Sequence, residues 1–282
     1  MIVPGAIDNN NPYVNIPLEP AKAWAEMVHR YVAGTLGLFI FALMVFAYFK
    51  PSLKPFRALT TALSALVVFQ AALGMWTVTL LLHPTIVMAH LLGGMTIISL
   101  LWLLYLRTQN ITIELQKSCC LTAGLLLALV IVALQIALGG WVSANYAAMA
   151  CTDFPTCREV WLPELHWREA FGLLPPLDQN YEGGFLAHPA RVTIHFLHRV
   201  GGLLVLLYLG SLSVYLMLKQ PVLRAAAAVT FILLIVQVLL GVSNIVMALP
   251  LSVATAHNGV AALLLLAVVS LNYLHYRGEV RS

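Results

Sequence analysis

Apolar residues run through this chain in seven long blocks separated by short polar stretches, covering roughly 23–48, 57–80, 85–107, 118–145, 190–218, 223–248 and 251–276. Each block reaches the roughly 20 apolar residues that a helix needs to cross a bilayer. A barrel strand would be shorter and would alternate apolar with polar positions. In lipid, a continuous apolar segment must satisfy its own backbone, and only a helix does so. The pattern therefore predicts an all-α fold, a polytopic membrane helical bundle of seven transmembrane helices.

Composition sharpens this. Of 282 residues, 61% are hydrophobic and 9% charged, and the mean hydropathy is +0.90. That balance excludes a soluble globular protein. Charge then gives orientation. Lys50, Lys54, Arg57, Lys117, Lys219, Arg224, Arg277 and Arg281 fall on one side, with Arg107 at its edge. The other side has a long acidic loop with Asp153, Glu159, Glu164, Glu169, Asp178 and Glu182. The positive-inside rule puts the C-terminus in the cytoplasm and the N-terminus outside. The net charge of +4 calls for no nucleic-acid partner, because its basic residues are spread over the inner loops. Residues 1–22, rich in Asn and Pro, have neither the basic start nor the apolar run of a signal peptide.

Two distant stretches repeat each other. Residues 26–43 read EMVHRYVAGTLGLFIFAL and residues 195–212 read HFLHRVGGLLVLLYLGSL. Each is followed by a Gln-x-x-Leu-Gly helix (Gln70 to Gly74, Gln237 to Gly241), then by a second histidine, His90 or His257. The second half has one helix more, 118–145, so the first half is expected to lack one that a full-length relative carries. Four helices per unit gives parallel repeats. The expected organisation is an outer segment 1–22, an incomplete N-terminal bundle 23–117, and a C-terminal four-helix bundle 118–282 with an outer loop 146–189.

The four repeat histidines lie one to two turns from the outer ends of their predicted helices and so share one depth. Intramembrane ionisable residues are rare and usually functional. Neutral imidazole is an axial ligand for haem iron, and bundles place such ligands on facing helices. A zinc or copper site would need further ligands, and the same faces add only Glu26 and His195. The reading is two haem-type sites, His29 with His90 and His198 with His257. Arg30 and Arg199 follow the first histidine of each pair; a guanidinium there suits a propionate, or snorkels to the interface. Glu26 precedes His29 by three residues on the same helical face, and its counterpart is His195. The halves thus differ where chemistry would differ: a carboxylate beside a ligand can take a proton or face developing positive charge. The simpler role for Glu26 is an acid favoured at a helix start. His195 receives no firm role, and His83, His166, His188 and His275 read as solvated or interfacial.

Cys151 and Cys157 flank Thr-Asp-Phe-Pro-Thr in the outer loop, a spacing open to an intraloop disulfide or a reduced redox pair, with metal binding weaker. Cys119 and Cys120 read as inert. The loop holds Trp161, Trp167, Phe171 and Phe185 and is expected to fold as a lid on the membrane surface. The run 138–151, LGGWVSANYAAMAC, packs small residues for close helix approach.

Taken together, EMVHR (26–30), PTIVMAHLLGG (84–94), LGGWVSANYAAMACTDFPTC (138–157), HFLHRVGG (195–202) and LPLSVATAHNG (249–259) resemble the haem A synthase family, membrane enzymes that finish haem A for terminal oxidases. The resemblance covers nearly the whole chain. It implies eight helices in two four-helix halves. It implies a haem b cofactor between His198 and His257 in the C-terminal half, with Arg199 beside it. Substrate haem O would be received near His29, His90 and Arg30, and its ring methyl oxidised to a formyl group. Glu26 matches the family's essential glutamate, and Cys151 with Cys157 matches one of its outer disulfide pairs. Family members usually begin with a helix ending in a Thr-Arg-containing motif and another outer cysteine pair; this chain starts after that point and reads as a shortened version. The implied surroundings are the inner membrane of a bacterium and its lipid. Haem O synthase, the cytochrome oxidase assembly machinery and a second copy of the chain are open as partners. Two other classes compete: a bis-histidine electron carrier of the cytochrome b561 type, and a haem transporter.

Overall fold

The computed structural model describes residues 20–109, 114–115, 118–177 and 179–280. Most of the Asn- and Pro-rich tail, Lys117, Asp178 and Arg281 lie outside the described residues. The chain is an all-helical, multi-pass membrane protein. Seven helices are long and apolar enough to span a bilayer. They are α1 (Pro20–Phe49), α2 (Arg57–Thr79), α3 (Pro84–Thr108), α4 (Cys119–Ala144), α6 (His188–Lys219), α7 (Arg224–Val246) and α8 (Leu251–Arg277). The short α5 (Trp167–Ala170) belongs to the outer loop. Each span matches its hydropathy block to within a few residues. Leu38, Phe39, Phe49, Val68, Leu204 and Ile232 are among many large apolar side chains left exposed, as expected of faces turned to lipid.

The chain forms two compact units, residues 1–69 and 70–282, divided within α2. In the first, α1 passes through a 3-10 turn, Pro51–Phe56, into α2. The guanidinium of Arg57 donates to the carbonyls of Ala47 (2.8 Å) and Tyr48 (2.9 Å), closing the orphan carbonyls at the end of α1. In the second, α4, α6, α7 and α8 pack in succession, with α3 against α4 and α8. The core of this unit holds Ala128, Val132, Leu209, Leu234, Leu264 and Val268. The small residues of α4 allow close approach, as the sequence suggested: a Cβ on Gly140 would lie 2.8 Å from Leu91.

Several devices recur. Arg224 opens α7 after a proline-led 3-10 turn and donates to Met217 O (3.0 Å) at the end of α6, as Arg57 does for α1. Helices α2, α4 and α7 share one ending. The N–H groups of Leu82, Ala147 and Leu249 reach back to Thr77, Val142 and Asn244, and those of Leu81, Tyr146 and Ala248 to Val78, Ser143 and Ile245. This is a Schellman motif. Its left-handed residue is not glycine in any of the three: φ is 51° at Leu81, 52° at Tyr146 and 54° at Ala248. Holding a side chain there costs about 1–2 kcal/mol. The same exit geometry is thus repeated three times.

The loop between α4 and α6 is folded onto the end of α4 and the start of α6. Trp141 Nε1 donates to Ala170 O (2.8 Å), and His166 N–H to Thr193 Oγ1 (2.8 Å). Ala147, Ala170, Ala190 and Ile194 form a buried cluster with Trp141. Two expectations are corrected here. His83 is buried, 3% exposed, because its Nε2 lies 3.2 Å from Pro175 O and its ring packs edge-on against Tyr181. His275, 4% exposed, is buried at the inner end, where Thr122 Oγ1 lies 2.8 Å from its Nε2. Both imidazoles have polar partners that a hydropathy pattern cannot reveal.

Candidate functional site

The C-terminal unit encloses a cavity of about 500 Å3. Its wall is largely apolar and includes Val132, Ile136, Val205, Leu206 and Leu264 from α4, α6 and α8, with Leu91 and Met95 from α3. Two imidazoles face each other across it, His198 of α6 and His257 of α8. Their ring centroids are 6.5 Å apart, with planes at 78°. His198 lies ten residues into its helix and His257 six, so the first is set deeper than the sequence expectation.

The spacing can be tested against chemistry. A metal–imidazole bond of about 2 Å, plus about 1.2 Å from ring nitrogen to centroid, places two imidazoles on opposite sides of one metal with centroids about 6.4 Å apart. No group of three or more His, Cys, Asp or Glu suited to a metal ion occurs among the described residues. A bare zinc ion would want four ligands. Two imidazoles across a largely apolar cavity fit a macrocycle that brings its own nitrogen donors. Three buried polar atoms of lining residues, Nδ1 of His257, Oε1 of Gln237 and Oδ1 of Asn244, have no hydrogen-bond partner among the described residues. A buried polar atom left so is the mark of a missing ligand or water.

The roof of the cavity is the disulfide loop. Cys151 and Cys157 are joined, with Cα atoms 4.8 Å apart, and both are fully buried over Val192. Arg199 gathers this loop. Its Nη1 donates to Asp153 O and Thr156 O, each at 2.8 Å, and its Nη2 to Cys151 O at 2.6 Å. The side chain also lines the cavity. His195, which the sequence left without a role, is buried in the same knot. Cys151 N–H is directed at its Nδ1 (3.2 Å) and Arg199 Nε–H at its Nε2 (3.3 Å).

Asp153 organises the loop's outer turn. Its carboxylate accepts from Thr156 Oγ1 (2.5 Å), Arg158 N–H (2.6 Å) and Glu159 N–H (2.9 Å). The Thr156 hydroxyl, then the Glu159 amide, hold its pKa well below the usual carboxylate range. A depressed carboxylate stabilises the fold above its unfolded pKa of about 3.9 and loses that contribution as pH falls through the folded value. Reduction of the disulfide by a water-soluble phosphine should therefore show no Asp153-dependent change between pH 7 and 4, and should accelerate below that. Asp153→Ala should give the faster rate already at pH 7.

On α1, Glu26 and Arg30 form an ion pair one helical turn apart, both about half exposed, with His29 between them in sequence. His90 stands on α3 in the other compact unit, beside Gln70 and Gly74. The sequence reading missed Gln135. The signal was present: QIALG at 135–139 is a third copy of the Gln-x-x-Leu-Gly run. Gln135 Nε2 lies 3.1 Å from Nδ1 of His198 and donates to that residue's carbonyl (2.9 Å).

Comparison with known proteins agrees with these features. The profile of the COX15-CtaA family, described as "Cytochrome oxidase assembly protein", matches residues 9–269. A protein of Shewanella oneidensis named "Heme A synthase" is 44% identical over 258 residues, 91% of this chain and 77% of the relative. Proteins of the same name are 25% identical over 271 residues in Rhizorhabdus wittichii (91% of this chain, 73% of the relative) and 26% over 260 residues in Halalkalibacterium halodurans (88% and 79%). A 44% identity over nine-tenths of the chain, with the profile match over nearly all of it, leads to one conclusion: this chain belongs to the haem A synthase family of cytochrome oxidase assembly proteins.

Proposed function

We propose that the chain makes haem A from haem O, oxidising one ring methyl of the substrate to a formyl group. The observation that carries this reading is the facing pair His198 and His257 across an apolar cavity at the spacing of two axial ligands, in a chain 44% identical to a protein named for haem A synthesis. His198 and His257 would hold a haem b. When bound, it supplies one-electron redox chemistry. Arg199 would hold the disulfide loop over the cavity as a roof, with one Nη2 hydrogen left to face a propionate. The surrounding apolar side chains of α3, α4, α6 and α8 exclude water.

The substrate half is residues 23–117. His29 and His90 would hold the iron of haem O, and Arg30 a propionate. Taking the methyl to a formyl group through an alcohol and a hydrated aldehyde, which loses water, removes four electrons and adds one oxygen atom; an external oxidant, dioxygen or a membrane electron acceptor with water as the oxygen source, would take the electrons. Glu26 would take a proton or face the positive charge that develops beside the ring. Its ion pair with Arg30 aims the carboxylate along one helical face. The duplication supports unequal roles for the two halves. In the C-terminal half, the position matching Glu26 is His195, which is consumed in anchoring the disulfide loop. An electron carrier with two equivalent haems gives no reason for that exchange.

The C-terminus would lie in the cytoplasm and the loop 146–189 outside, in the inner membrane of a bacterium. The disulfide in that loop suits an oxidising compartment. Complementation tests the function. A bacterial strain that makes haem O but has lost its own haem A synthase should regain haem a absorbance in its terminal oxidase when it expresses this chain. Accumulated haem O with the chain present in the membrane would reject the proposal.

A further inference from the structure

Three histidines of this chain sit in the same seat. A Cβ built on Gly74 would lie 3.1 Å from Cε1 of His90; on Gly139, 3.1 Å from Cε1 of His198; on Gly241, 3.2 Å from Cε1 of His257. In each case the same ring atom presses on a glycine of the neighbouring helix. Four residues before each glycine stands a glutamine whose amide reaches the same histidine. Gln70 Nε2 donates to His90 O (2.5 Å). Gln135 Nε2 donates to His198 O (2.9 Å) and lies 3.1 Å from its Nδ1. Gln237 Nε2 lies 3.3 Å from His257 Nε2.

The histidine helices are cut to receive the amides in two of the three. Oε1 of Gln70 occupies the space of a Cβ on Gly93, at 2.0 Å, and Oε1 of Gln135 that of a Cβ on Gly201, at 2.2 Å. Both glycines come three residues after their histidine, in His-x-x-Gly-Gly. His257 has Val260 there instead, and its glutamine meets the ring and not the carbonyl. Every glutamine–glycine helix ends in the Schellman exit described above, so one element of fixed register appears three times, on α2, α4 and α7.

We propose that these Gln-x-x-x-Gly segments are imidazole cradles. Their glutamines and glycines are positioning residues that set the rotation of His90, His198 and His257 about the Cβ–Cγ bond. The inference rests on the reading of those histidines as haem ligands, and it adds the residues that aim them. The glycine removes the one atom that would tilt the ring. The glutamine ties ring or carbonyl to the neighbouring helix, so helix and imidazole turn together. Partners behind a metal-binding histidine govern its orientation and basicity, and through them the reduction potential.

The test uses the full chain purified in detergent, with two readouts. In haem-loaded protein, Gly139→Ala and Gln135→Met should both retain a low-spin haem. Its electron paramagnetic resonance g values should shift, and its ferric-to-ferrous ratio at fixed potential should change by about tenfold, which is about 59 mV for one electron. In haem-free protein, deuterium exchange at the histidine Cε1–H, read by mass spectrometry, should be slow at His198. It should speed up several-fold in either variant, because the Gly139 seat no longer covers that atom. Unaltered g values, potential and exchange in folded variants would overturn the cradle. An unsubstituted chain that shows no low-spin haem but keeps protected Cε1–H groups, lost in the variants, would sustain the cradle while rejecting the haem reading.

Discussion

Glu26→Ala should leave haem in the protein and lower formyl production by about 100-fold or more, the scale of a lost general base or charge-stabilising group. The structure separates this from a folding effect. Glu26 and Arg30 form a half-exposed pair one turn apart on α1. Such pairs contribute only about 0.3–0.5 kcal/mol, and Ala is the best helix former. The variant should therefore accumulate in the membrane at the unsubstituted level and retain its haem absorbance. Glu26→Gln separates the two possible roles in part, because it keeps the shape and a dipole while removing the charge. Extracting the haems and weighing them gives the answer. A normal yield of haem A from Glu26→Ala would remove Glu26 from the chemistry.

The second large effect is expected at His257. His257→Ala takes one imidazole from a pair whose centroids are 6.5 Å apart. One remaining nitrogen ligand gives a five-coordinate, high-spin iron or a lost haem, so the low-spin spectrum of the C-terminal site should vanish. His198→Ala should do the same. His90→Ala should spare that spectrum, since His90 is proposed to hold the substrate haem and not the cofactor. An unchanged low-spin spectrum in both His198→Ala and His257→Ala would move the cofactor to other ligands. Packing arguments predict much smaller signatures: His257 is only partly buried, and its side chain has a polar contact with Gln237.

Much of the architecture was legible because the bilayer leaves few choices. Seven apolar blocks gave seven spans, with ends off by a few residues where Pro20 and the His188–Pro189 pair start α1 and α6 earlier than hydropathy suggests. The matched histidines were legible as well, since an imidazole in an apolar run stands out. What stayed hidden is local and polar. His83 and His275 looked like loop and terminal residues, yet Pro175, Tyr181 and Thr122 meet them from segments distant in sequence. Arg199 looked free for an anionic ligand, and three carbonyls of the disulfide loop claim its donors. His195 could not be assigned without knowing that the loop folds back onto α6. Gln135 was missed for another reason: the long loop between α4 and α6 sets it 63 positions from His198, so the fixed spacing that links Gln70 to His90 and Gln237 to His257 was broken.

The Schellman exits carry a related lesson. Three helices end on Leu81, Tyr146 and Ala248 in left-handed backbone, where Gly or Asn would be the expected signal. No turn residue marks them, and only the shared register with the preceding glutamine does. The element is therefore a larger unit than a cap, running from Gln through Gly to the exit, and it is this unit that the chain has repeated.

One measurement bears most directly on the whole account. The chain is expressed in cells that make haem O but cannot otherwise make haem A, it is purified from their membrane, and its haems are extracted and identified by mass. The account predicts haem A as product together with a retained haem b. Haem b and unaltered haem O alone would mean an electron carrier, and the absence of any bound haem would mean a transporter; either result contradicts it.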